Sequence, residues 1–247
     1  VRFTKWVALL VLLGCGGTQT QTETEPTEDT TEEPEVADTE SAPEHMREHF
    51  ADVAAARDAV IQGDIEGVRA PLSRIAAAEY GEDLPWDWRQ WVGEMQNSAG
   101  GYAEVSDILA AANAVAALTE SCADCHRTTL GGPAIPAEHQ PPHEHNVQGE
   151  MQRHAWGVEQ LWLGLTAPSH EAWARGAAAI MEDPMTPEEA EALREEEENE
   201  ALTPHLEELR ALGEQAHEAG QPADKARVYA QIISKCAICH SGLDGRR

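Results

Sequence analysis

The sequence predicts an all-α fold built from one module used twice, and three observations predict it. Strand signals are scarce: β-branched runs are few, alanines are many, and there are only two phenylalanines. Apolar residues instead recur at helical spacing between capping and turn residues. Landmarks also repeat between the halves. Met46-Arg47-Glu48-His49 returns as Met151-Gln152-Arg153-His154 (offset 105), and Val92-Gly93-Glu94 as Leu212-Gly213-Glu214 (offset 120). Cys122-Ala123-Asp124-Cys125-His126 returns as Cys236-Ala237-Ile238-Cys239-His240 (offset 114). Small loop insertions account for the changing offsets, and each copy has the commonest domain size, about a hundred residues.

Met46, Phe50, Val53 and Val60 form the apolar stripe of a first helix. Gly63-Asp64 ends it and caps a second over about 65–78. Pro85 opens a third through Trp88, Trp91 and Met95, closing near Gly100. A fourth runs from about 103 through Ile108, Val115 and Leu118 into Cys122. In the second half Met151, Val158, Leu161 and Leu165 mark the first helix, and Ser169 caps the second. The third runs from Thr203-Pro204 to Ala219, and the fourth carries Tyr229, Ile232 and Cys236. Residues 187–202 begin at the capping box Thr186-Pro187-Glu188-Glu189 and are so acidic that they predict a solvated helix. Trp86, Trp88, Trp91, Trp156, Trp162 and Trp173 are expected to pack the cores and wall any cofactor pocket.

The boundaries follow. Residues 1–14 read as an export signal, 15–43 as an acidic tether and 44–131 as the first domain. Residues 132–146, with four prolines and three histidines (His139, His143, His145), form a linker, and 147–247 the second domain. The signal has Arg2 and Lys5 before the apolar run from Trp6 to Leu13, too short to stop in a bilayer. The tether holds nine acids and almost no apolar side chains, so it cannot bury enough surface to offset its ordering entropy.

The doubled pentad carries the chemistry. Cysteines at i and i+3 of a helix face one side, so both thiols can add to the two vinyl groups along one edge of a haem. The next residue, His126 or His240, then offers an imidazole nitrogen to the iron as proximal ligand. Cys122, Cys125, Cys236 and Cys239 are therefore expected to hold two haem c groups by thioether bonds. A single zinc would need the two pairs together, whereas they lie 114 residues apart, far beyond the roughly 15–20 residues of a zinc ribbon. A redox dithiol needs a βαβ context, and plain disulfides would not select the histidines.

Four helices with the pentad near the end of the last resemble the cytochrome c-prime and cytochrome c-556 family, once over residues 44–131 and once over 147–247. The resemblance implies two tandem antiparallel four-helix bundles, each with its haem inside. The family usually has a basic residue within the pentad and acids after it. Here Ala-Asp and Ala-Ile lie within, and Arg-Thr-Thr and Ser-Gly-Leu follow, which indicates a distant branch. In the family the far side of the iron faces the first helix. His49 and His154 are expected there as distal ligands, because an apolar face carrying a histidine twice asks for a partner. Met46 and Met151 are the alternative ligands, and an open sixth position is the third.

Leu12-Leu13-Gly14-Cys15 resembles the bacterial lipoprotein cleavage box, which implies a lipid on Cys15 and a place in the periplasm, anchored to the membrane, with the outer membrane slightly favoured. The formal net charge is −28, and loss of Arg2 and Lys5 with the signal makes it −30. That charge excludes nucleic acid as an electrostatic partner and suits a basic redox protein. The function expected is a membrane-tethered dihaem electron carrier and not an enzyme. A haem-based gas sensor and a dihaem peroxidase are the alternatives.

Overall fold

The computed structural model describes residues 41–79, 84–102, 104–129, 132–135, 146–182 and 203–244. The export signal, Cys15, the tether, the linker histidines and the acidic segment 187–202 lie outside the described residues.

Gly63 takes a positive φ of 75°, a conformation open to glycine, and so ends α1 (Ser41–Gln62). The Asp64 side chain accepts a hydrogen bond from the Gly67 amide and starts α2 (Ile65–Ala77). α3 spans Arg89–Gly101, four residues later than Pro85 predicted, because residues 85–88 close a tight turn from the Pro85 carbonyl to the Trp88 amide. α4 (Ile108–Thr129) also starts late. Asp107 accepts from the Ala110 amide and supplies a cap that the apolar pattern concealed. Asn146 caps α5 (Val147–Thr166) and Ser169 caps α6 (His170–Met181), the latter as expected. α7 (Thr203–Glu218) and α8 (Pro222–Asp244) complete the order. The described residues thus form eight helices and no strand, an all-α fold.

α1 packs on α2, α2 on α3, α3 on α4, and α4 returns to α1. α5, α6, α7 and α8 repeat that ring. α8 also lies along α4 and α1, and α5 touches α4, so one apolar core runs through both halves, from Val53 and Leu72 to Trp173 and Ile233. Burial of side chains of this size favours folding by about 1.5–3 kcal/mol each. α4 has the length and apolarity of a membrane span, but Ala111, Val115 and Leu118 are buried against protein.

At the seam, Arg57 of α1 pairs with Glu159 of α5 at 2.6 Å and lies 5.0 Å from the centre of the Trp162 ring. Tyr229 of α8 and Phe50 of α1 flank the same indole at 6.1 and 5.9 Å. Trp162 and Trp173 are fully buried, as expected of core tryptophans, and Trp173 donates its indole N–H to the Ala216 carbonyl at 2.7 Å. Two apolar expectations fail. Trp86 is 84% exposed at the tip of the turn before α3, and Phe50 keeps an open face despite its contact with Trp162.

Candidate functional site

Both pentads occupy the last turns of a long helix, α4 or α8, and the i, i+3 spacing sets each pair of thiols on one face. Burial pushes the Cys122 and Cys236 thiols up to about 12, and it raises Cys125 and Cys239 as well. All four are free cysteines. Among the described residues no three His, Cys, Asp or Glu side chains gather closely enough to hold a metal ion, so the two pairs do not converge as a four-sulfur zinc site requires.

The second pentad opens on a cavity of about 370 Å³, within the ~300–1,000 Å³ usual for small-molecule pockets. Cys236, Cys239 and His240 line it from α8. Met151 and His154 face them from α5, so the structure gathers five of the predicted residues in one place. Leu206 and Leu209 of α7 and Val158 of α5 give it apolar walls, Arg57 and Lys235 add cations, and Asp58 and Glu159 add carboxylates. Arg57 comes from the first half, so the second half alone does not complete this cavity.

His154 is buried and already engaged. Its Nε2 lies 3.0 Å from Glu150 Oε1. Arg153, also buried, donates to both Glu150 oxygens at 2.9 Å and to the Glu182 carbonyl. Burial alone would raise the Glu150 carboxyl. The His154 hydrogen bond and the His154 and Arg153 charges outweigh it, and the group sits below its ordinary value.

The first pentad has different neighbours. His126 is half-buried, and its Nδ1 donates to the Thr166 carbonyl at the end of α5, at 2.6 Å. That bond fixes the Nδ1–H tautomer and leaves Nε2 as the free lone pair. Gly132 presses on the same ring: a Cβ there would stand 3.1 Å from His126 Cβ. His49 is buried on α1, but the cavity it lines holds Asp52, Arg74 and Glu79 and neither cysteine of the pentad. Met46 is half-buried on the same helix.

Arg57 and His205 are among the residues of the second cavity that escaped the sequence reading. Arg57 was hidden because it belongs to the other half. His205 of α7 lines the cavity too, but the 120-residue offset sets it against Pro85, so a search for repeated histidines passes over it.

The chain matches no protein-family model, no curated protein and no solved structure.

Proposed function

We propose that this protein is a dihaem c-type cytochrome that carries electrons outside the cytoplasm, tethered by a lipid on Cys15. The observation that carries the reading is the second cavity, where both cysteines and the histidine of a Cys-x-x-Cys-His pentad face an apolar space of cofactor size. In this reading each half is a four-helix bundle of the cytochrome c-prime kind. The closed ring of helix contacts in each half supports that, as does the pentad near the end of each fourth helix.

A haem bound there supplies a one-electron ferrous/ferric couple. The chain's residues do the rest. Cys122, Cys125, Cys236 and Cys239 tether the two macrocycle edges, and His126 and His240 are the proximal ligands. His154 and Met151 line the second site from α5 and His205 lines it from α7, and His49 and Met46 are the first-half residues that correspond to His154 and Met151. Arg57 and Lys235 at the second cavity are each paired with carboxylates, Arg57 with Glu159 and Lys235 with Glu208. The acidic surface orients a basic redox partner.

Reductive titration of the purified holoprotein tests the carrier role. Two electrons per chain are expected to enter and leave reversibly, with no change of spectrum on adding carbon monoxide. The gas-binding reading has one observation in its favour, namely that His49 lines a cavity apart from the first pentad. Prompt carbon monoxide binding at one haem would decide for it.

A further inference from the structure

We infer that His205 is the sixth iron ligand at the second pentad. The inference rests on the dihaem reading and deepens it. His205 lines the same cavity as Cys236, Cys239 and His240. Its Nδ1 is buried and has no hydrogen-bond partner among the described residues. A buried polar atom left unpaired costs about 1–3 kcal/mol, so an imidazole held this way in a cavity wall has an unmet need for a bond. Iron ligation meets it. Nδ1 gives its lone pair to the metal, and Nε2 keeps the proton.

The rival ligands are worse placed. His154 spends Nε2 on Glu150, and that carboxylate is locked between His154 and the buried Arg153. Freeing the His154 nitrogen would strip a partner from a buried charge, a costly step in low dielectric. Met151 offers only a thioether, which stays content as packing in an apolar gap. The His154–Glu150–Arg153 cluster therefore holds the start of α5 in place, and α7 supplies the ligand.

The first half carries Pro85 where the second has His205, so the two haems differ in this ligand. His205→Ala is then a single-site change. The experiment records low-temperature magnetic resonance and near-infrared dichroism of the ferric holoprotein beside His205→Ala, His154→Ala and Met151→Leu. Intact mass is measured on each sample first. A chain without haem at the second pentad overturns the dihaem reading itself, and the mass alone identifies that case.

With both haems present, His205→Ala is expected to convert one haem equivalent from low-spin to high-spin, and added imidazole to restore the low-spin signal. Such rescue separates a ligand from a structural residue. His154→Ala and Met151→Leu are expected to keep the low-spin signal. An unchanged spectrum in His205→Ala, loss of the signal in His154→Ala or Met151→Leu instead, or a wild-type second haem already high-spin would overturn the assignment.

Discussion

Cys122–His126 and Cys236–His240 occupy the same part of their helices, yet their histidines meet different surroundings. His126 is half-buried, with its Nδ1 proton given to the Thr166 carbonyl and Gly132 against its ring. His240 is exposed at the edge of a cavity that also holds His154, Met151 and His205. Local sequence makes the pentads alike, because the helix spacing alone aligns the thiols. Contacts from the other half make them different: α5 reaches His126, and α1 sends Arg57 into the second cavity. The two copies share the motif, and their surroundings differ.

The largest effect that tests this comparison comes from removing one tether at a time. Cys236→Ala/Cys239→Ala is expected to leave a protein with one haem, and Cys122→Ala/Cys125→Ala the other; peptide mapping of the holoproteins distinguishes them. Loss of both haems from either variant would mean the sites are not independent.

Next in size is the buried ion pair of the second half. Arg153 and Glu150 each keep 3% of their side chains exposed, whereas the 105-residue offset places Glu48 opposite Arg153 and His45 opposite Glu150. Arg153→Met should cost about 3–5 kcal/mol in urea unfolding, since it takes the guanidinium from a buried carboxylate and leaves only His154 beside it. Glu48→Ala, on an exposed face, should stay within about 0.5 kcal/mol.

The repeated glycine gives opposite signs. A Cβ on Gly213 would sit 2.9 Å from the Met181 backbone nitrogen, while one on Gly93 meets nothing within 4 Å. Gly213→Ala should therefore destabilise by about 1–3 kcal/mol, because α6 and α7 must part. Gly93→Ala should stabilise by about 0.5–1 kcal/mol through helix propensity. Thermal melts of the two variants check the pair.

The smallest effect concerns Tyr229, which the 114-residue offset aligns with Val115. Its hydroxyl is buried without a partner among the described residues, and burial raises its pKa above the ordinary value of 10.0. The native state keeps the proton that the unfolded chain releases above about pH 10, so stability is full below that value and falls as pH rises beyond it. Tyr229→Phe should change stability by no more than about 1 kcal/mol at neutral pH and flatten that alkaline decline. A decline of unchanged steepness in urea titrations would show that another group causes it.

Much of the helical order was legible because caps and apolar spacing act locally. Gly63-Asp64 and Ser169 did what their chemistry predicts. The starts of α3 and α4 were misread where a turn at Pro85–Trp88 and a cap at Asp107 interrupt an apolar pattern that looks continuous. The pentads and the shared face of Met151 and His154 were also legible, since helix periodicity fixes which residues point together. Arg57 and His205 were not. One arrives by packing between halves, and the other lies on a helix whose approach depends on tertiary arrangement. Repeat logic also hides whatever the two copies do not share, and the differences between the sites lie there.

Everything turns on two porphyrins being joined to this chain. Intact mass and peptide mapping of protein matured in a bacterium that loads a control cytochrome decide it directly. Two haem adducts are expected, one on the Cys122–Cys125 peptide and one on the Cys236–Cys239 peptide. A bare chain, or one that takes up zinc alone, would contradict it.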